Sequence, residues 1–320
     1  MIGVVGAGRM GRGIALAYCY AGREVTLMDI RGRSAGEFEV LAEQVLAEMQ
    51  IDLEFLAEAH LLDPKAIAAT LERVQLVDRV RGRAIMPHCL IIYEAVPEVR
   101  EAKEAAFAFV SEHAQSDAVV ASTTSTFLVT ELAHMVDAPE RFLNAHWLNP
   151  AHLMPLVEIS RSEWTAQRSV DRLMASLEEI GKVPVVCSAS AGYIVPRIQA
   201  LAMNEAARLV EEGVASAEDV DKAVRYGFGP RFAVLGLLEF IDWGGGDILY
   251  YAANYLEEAL SPRFAAPDII RNNMASGRNG MRDGRGFFDY RNQDLDEYRR
   301  GRLKELIQLL AERNALPKRL

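Results

Sequence analysis

A histidine and a glutamate, His146 and Glu158, stand twelve positions apart in the stretch HWLNPAHLMPLVEI (146–159), with Asn149-Pro150 between them. An imidazole titrates near neutrality, so it can take up and return a proton at ordinary pH. A carboxylate on its other ring nitrogen fixes the tautomer and stabilises the imidazolium as it forms. Taken alone, a histidine at a strand end reads as structural. His146 closes one β-rich run, and Glu158 lies on the run that follows the Asn149-Pro150 loop. A strand–loop–strand return can bring the two into contact. The other histidines (His60, His88, His113, His134 and His152) have no carboxylate in a comparable setting and read as structural.

A second group of residues lies at the N-terminus. GVVGAGRMGRG (3–13) sets Gly6, Gly8 and Gly11 in the pattern GxGxxG, directly after a buried-looking strand and at the start of a helix that Arg9 and Met10 open. In that context the first glycine permits a tight turn and the second lets the backbone approach a pyrophosphate. The third allows close helix–strand packing, and the helix N-terminus faces the phosphates. Asp29, in REVTLMDIR (23–31), ends the next strand, where its carboxylate can accept from both ribose hydroxyls and repel a 2′-phosphate. The expected cofactor is therefore NAD, with Arg31 leaving NADP open.

These residues need an α/β scaffold, and the chain supplies its pattern. β-rich runs at Ile2–Val5, Glu24–Met28, Gln75–Val77, Cys89–Glu94, Ala118–Ser122, Phe142–His146, Met154–Ser160 and Val183–Cys187 alternate with helical stretches such as AGEFEVLAEQVLAEM (35–49). That alternation predicts a mainly parallel, Rossmann-type sheet over 1–188 with helices on both faces. After CSASAG (187–192) only helical spacing remains, with a helix-start signal in SAED (216–219), so 189–320 should form an all-α domain.

Composition excludes several functions. The 320 residues are half hydrophobic, enough for two cores, and 45 acidic against 35 basic residues give a net charge of −10. Such a chain is a poor ligand for nucleic acid or an anionic membrane surface, and no apolar run approaches the length of a membrane span. Met1 runs almost directly into the first strand, leaving no stretch for a signal peptide. Cys19, Cys89 and Cys187 are odd in number, fit no metal site and predict buried free thiols in a reducing cytoplasm.

Ordered blocks along nearly the whole chain resemble the 3-hydroxyacyl-CoA dehydrogenase family. Beside GAGRMGRGIA, the stretch YEAVPEVREAK (93–103) is similar to that family's Glu-Ala-Val-x-Glu signature, and ASTTSTF (121–127) to its Ser-Asn-Thr-Ser block. HWLNPAHLMPLVEI resembles its His-x-x-Asn-Pro…Leu-Val-Glu block. AGYIVPRIQ (191–199), GFGPRFAVLGLLEFID (227–242) and GMRDGRGFFDY (280–290) resemble further family stretches. The resemblance implies an NAD-dependent enzyme oxidising the 3-hydroxyl of a short-chain 3-hydroxyacyl-CoA in fatty acid metabolism. His146 would be the general base and Glu158 its partner. Ser125 would hydrogen-bond the reacting oxygen, and Asn149 would line the nicotinamide and substrate pocket. Glu98, Lys103 and Ser125 would lie against the cofactor. The family's dimerisation through its helical domain, and exposed-looking apolar stretches such as ILYYAANYL (248–256), imply a homodimer.

Two departures bear on the substrate. Thr123 and Pro196 stand where the family has asparagines, and a proline side chain cannot replace the hydrogen bonds of an amide. Between Ser34 and Pro64 there are eight acidic residues and neither lysine nor arginine, in a region that in the family approaches the anionic CoA moiety. The family also includes enzymes of small free hydroxy acids and alcohols, such as carnitine, gulonate and a pyridine-derived alcohol. That substrate class is the alternative, and a non-catalytic NAD-binding relative is a further one.

Overall fold

The computed structural model describes residues 1–317. Eight strands form one sheet: β1 (Ile2–Val5), β2 (Val25–Asp29), β3 (Val74–Asp78), β4 (Ile91–Glu94), β5 (Val119–Ser122), β6 (Phe142–Trp147), β7 (Leu156–Arg161) and β8 (Val183–Ser188). Their order is β3-β2-β1-β4-β5-β6-β7-β8, with every neighbouring pair parallel except β6 and β7. All eight lie where the β-rich runs of the sequence place them, within three residues at each end.

Helices α1 (Arg9–Tyr20), α2 (Ala35–Glu58), α3 (Ile67–Leu71), α4 (Arg79–Ile85), α5 (Arg100–His113), α6 (Val129–Ala133) and α7 (Gln167–Glu179) form the crossovers. Side chains alternate across each strand, so the sheet feeds two cores. Val4, Leu27, Tyr93, Leu143 and Trp147 pack on one face with Ile14, Leu16 and Leu173. Val5, Met28, Ile92, Val120 and Phe142 pack on the other with Phe107 and Phe109. Coverage on both faces is why these strands read as continuous apolar runs. Ser34 starts α2 with a full capping box to Glu37.

The first compact unit runs from Met1 to Leu201 and the second begins at Ala202, partway along α8 (Val195–Glu211). The change from strands to helices comes earlier, at the end of β8. Residues 193–195 stay with the first unit because they are bonded to Asn144, Thr124 and Glu158.

The second unit is helical: α9 (Ala217–Ala223), α10 (Gly229–Gly244), α11 (Gly246–Ala259), α12 (Asp268–Ala275) and α13 (Leu295–Glu312). Among its described residues β-structure is limited to isolated bridges at Gly280–Arg285 and Arg285–Asp289. Its small core of Ala253, Ala266 and Ile270 is supplemented by the buried Asp242 carboxylate, which accepts from the Phe287 and Phe288 amides at 2.9 Å each. Ile248, Tyr251 and Tyr255 on α11 are exposed. No helix of the described residues is long and apolar enough to cross a membrane.

Candidate active site

The parallel strands β1, β2, β4 and β5 all end on one edge of the sheet, and the chain reverses direction in the sheet order between β1 and β4. Open α/β sheets bind ligands at that position. A cleft of about 740 Å³ lies there, lined by Gly6, Gly8, Arg9, Met10, Asp29 and Arg31 among others. Gly6 adopts φ +112°, and a Cβ on Gly11 would stand 1.9 Å from the Gly6 carbonyl oxygen, so the turn excludes larger residues at both positions. A Cβ at Gly8 would meet nothing within 4 Å, which leaves the backbone accessible from the cleft. α1 has no side-chain cap at Gly8, so its first amide hydrogens are free to meet an anion. This geometry fits a dinucleotide pyrophosphate. Asp29 is buried at the end of β2, and one carboxylate oxygen already accepts from the Arg33 guanidinium. The acidic face of α2 is partly engaged as well: Glu48 pairs with Arg12.

His146 and Glu158 are directly opposed across the antiparallel β6–β7 pair. The His146 Nδ1 lies 2.9 Å from the Glu158 Oε2, and Glu158 is fully buried. The Glu158 Oε1 accepts from the amides of Ile194 and Val195, at 2.8 and 2.9 Å, where α8 begins. The carboxylate therefore faces a helix N-terminus as well as the imidazole, with each oxygen engaged. Among the described residues no hydrogen bond occupies the His146 Nε2, so that nitrogen is available for proton transfer. Pro196 is the second residue of α8, where a missing amide hydrogen leaves no helical bond unmade. Trp147, adjacent to His146, points to the opposite face and is buried with Tyr18 and Tyr93, so it packs the core and does not narrow a pocket.

Glu98 and Ser125, far apart in sequence, meet after β5. The Glu98 Oε1 accepts from the Ser125 and Thr126 amides at 3.0 Å each, and from the hydroxyls of Thr124 and Thr126. The Glu98 Oε2 lies 3.0 Å from the Lys103 Nζ. Partial burial opposes ionisation of Glu98, but the Thr124 hydroxyl, the Lys103 charge and the Thr126 hydroxyl outweigh it and hold the carboxyl at about 2. Read without the family, Lys103 belongs to a solvated helix face. It is instead only 1% exposed, bridging Glu98 to the buried Glu94, which also accepts from the Ser122 hydroxyl. Ser125 itself is exposed at the tip of this turn, and Asn149 is exposed in the loop after β6, ahead of a cis bond to Pro150.

Several site residues escape sequence reasoning. Lys182 is buried, its Nζ donating to the carbonyls of Ala151 and Met154 at 2.7 and 2.8 Å, so it ties down the loop that carries Asn149. Desolvation lowers its pKa to about 8. Tyr193 stacks on the His146 ring, and Thr124 and Asn144 complete that cluster. Thr124 lies in a quoted motif and Glu94 opens another, but nothing in the spacing marks Lys182 or Asn144. Of the cysteines, Cys19 and Cys89 are buried as expected, while Cys187 is only half-buried.

Sheet order, glycine turn and strand-end acid together define a Rossmann-type dinucleotide-binding protein. The chain belongs to the 3-hydroxyacyl-CoA dehydrogenase family and is an NAD-dependent oxidoreductase. The family's "3-hydroxyacyl-CoA dehydrogenase, NAD binding domain" matches residues 1–190 and its "C-terminal domain" residues 192–290. The chain is 29% identical over 310 residues to a 5-formyl-3-hydroxy-2-methylpyridine 4-carboxylate 5-dehydrogenase of Mesorhizobium japonicum, covering 96% of each. It is 30% identical to a 3-hydroxybutyryl-CoA dehydrogenase of Bradyrhizobium diazoefficiens, over 91% of this chain and 95% of that one. The crystal structure of a 3-hydroxyacyl-CoA dehydrogenase from Archaeoglobus fulgidus superposes with a TM-score of 0.77 at 31% identity, over 98% and 99% of the two chains.

Proposed function

We propose that this enzyme oxidises the 3-hydroxyl of a short-chain 3-hydroxyacyl-CoA, with His146 as the general base. The observation that carries the reading is the buried His146–Glu158 pair, with Nδ1 held by a carboxylate and Nε2 left unengaged. His146 takes the hydroxyl proton at Nε2. Glu158 keeps the proton of the neutral ring on Nδ1 and stabilises the imidazolium once Nε2 is protonated. Ser125 and Asn149 orient the reacting oxygen. Glu98 and Lys103 act on the cofactor side of the site by fixing the turn that presents Ser125. Gly6, Gly8, Gly11 and the amides of Arg9 and Met10 hold the pyrophosphate, and Asp29 holds the adenosine ribose. The bound nicotinamide supplies the hydride acceptor.

A small free hydroxy acid is the second reading. Two observations favour it: the acidic surface of α2, which disfavours an anionic CoA, and Pro196, which offers no side-chain hydrogen bond. The similarity to the pyridine-carboxylate dehydrogenase points the same way. Free thiols fit a cytoplasmic setting, and the exposed apolar residues of α11 fit a homodimer, which a solution mass of one 35.4 kDa chain would refute.

The test follows NADH absorbance with acetoacetyl-CoA in parallel with small free 3-oxo acids, using wild type and His146→Ala. His146-dependent turnover of the thioester supports the first reading, and turnover of a free acid alone supports the second. NADH binding without turnover of either counts against both and leaves a different substrate or a non-catalytic NAD-binding protein.

A further inference from the structure

Tyr193 is held in a conformation that its side chain does not favour. Its φ is +47° and that of Gly192 is +78°, so two successive left-handed residues turn the chain from β8 into α8. A non-glycine residue stays in that region only where its surroundings fix it. Those surroundings are the proton-transfer site. The Tyr193 ring lies nearly parallel to the His146 imidazole, with centroids 4.7 Å apart and 13° between the planes. The Tyr193 hydroxyl donates to the Thr124 carbonyl at 2.8 Å and accepts from the Asn144 Nδ2 at 3.0 Å. The same Asn144 Nδ2 donates to the Phe127 carbonyl, so the amide spans the turn that carries Ser125. The next two residues, Ile194 and Val195, supply the amides that hold Glu158.

Three successive residues thus hold the base in two ways, on the ring face and through its carboxylate partner. The carboxylate fixes only the Nδ1 corner of the imidazole. With Nδ1 as the pivot, coupled turns about the Cα–Cβ and Cβ–Cγ bonds would still tilt the ring and move Nε2 unless something covers the ring face. Burial keeps the phenol protonated by pushing its pKa upward, so it remains a donor at working pH.

We propose that Tyr193 is a positioning residue. Its ring sets the plane of the His146 imidazole, and its hydroxyl ties that plane to the Thr124–Ser125 turn, so that Nε2 and the Ser125 hydroxyl keep one separation. The proposal rests on the reading of His146 as base and Ser125 as the residue that holds the reacting oxygen. A misplacement of about 1 Å in such an arrangement costs on the order of a hundredfold in rate.

The test uses Tyr193→Phe, which keeps the stack and loses the tie, and Tyr193→Leu, which loses both. Expected is a kcat lowered about 3- to 10-fold in Y193F and about 30- to 100-fold in Y193L, with KM for NADH within about twofold of wild type. A second readout needs no substrate: the His146 ring resonances of isotopically labelled protein, assigned with His146→Ala. Wild type and Y193F should each give one set, and Y193L a doubled or broadened set. Wild-type kcat in both variants, with only thermal stability reduced, would overturn the proposal and leave Tyr193 a purely structural residue. A single sharp set in Y193L would also overturn it. If Y193L does not fold, the kcat of Y193F at unchanged KM decides. If wild type turns over no substrate, the proposed function fails, and the resonances alone decide the positioning role.

Discussion

Glu158→Gln changes one atom of a fully buried side chain, and the site geometry dictates how the amide must sit. The carboxylate accepts from two backbone amides on one oxygen and meets the His146 Nδ1 with the other. With the glutamine carbonyl toward Ile194 and Val195, both amides stay paired and the NH₂ group points at Nδ1. Turned over, the NH₂ group faces two donors and leaves both unpaired, at about 1–3 kcal/mol each. The first orientation is therefore favoured by about 2–6 kcal/mol, or roughly thirtyfold to twenty-thousandfold at 1.4 kcal/mol per factor of ten. In that orientation Nδ1 can only accept, the ring proton moves to Nε2, and the base is blocked. kcat should fall by at least about thirtyfold, while NADH binding followed by fluorescence stays within about twofold. Glu158→Ala, the less conservative change, leaves the tautomer free and should retain more kcat than E158Q. A kcat for E158Q within threefold of wild type, or a lower kcat for E158A, refutes the tautomer argument.

Other expectations concern the residues around the pair. Glu98 is held at about 2, below the ordinary 4.5, so its contribution to stability is complete above about pH 5 and is lost as pH falls toward 2. Discounted for its exposure, that is about 1–2 kcal/mol, and denaturant melts from pH 6 to 3 should converge for wild type and Glu98→Gln. Parallel curves would count against it. Lys182 shifts the opposite way: folded, it loses its proton near pH 8, whereas unfolded it keeps it to about 10.5, so stability relative to Lys182→Met should rise across that window. Equal pH dependence of the two proteins would show that burial does not disfavour its charge. Arg33→Ala frees the Asp29 carboxylate from its ion pair, so the preference for NADH over NADPH in fluorescence titrations should widen about 3- to 10-fold. An unchanged preference would mean that the pair plays no part in cofactor choice.

The central strands were legible because they are buried on both faces, which turns β4 or β5 into a nearly unbroken apolar run. β3 and β8 at the sheet edges are partly exposed and were marked by their β-branched residues. The Asp29 position followed from the strand it ends, and the His146–Glu158 contact from the return between two adjacent strands. What spacing does not carry is long-range chemistry. Lys182 reads as a surface lysine in a GK turn, and only the fold brings three carbonyls of a loop about thirty residues away around it. Glu98 and Lys103 were placed by resemblance, yet their joint grip on the Ser125 turn depends on β4 and β5 lying side by side. Tyr193 carries no local signal, because stacking on a histidine 47 residues earlier is a property of packing alone.

The ladder between β6 and β7 has a consequence for how such an enzyme can diverge. His146 and Glu158, the proposed proton-transfer pair, are opposite one another through backbone hydrogen bonds of two adjacent strands, and the segment 148–155 that joins them is not what aligns them. Apart from Asn149, residues in that segment can be exchanged without changing the register that sets the distance from Nδ1 to its carboxylate. A shift of one residue in the ladder, by contrast, would turn one partner to the far side of the sheet. Tolerance and constraint are thus divided between neighbouring stretches of one short segment of chain: the joining loop, Asn149 apart, can vary with the substrate, and the strands beside it keep the pair in register.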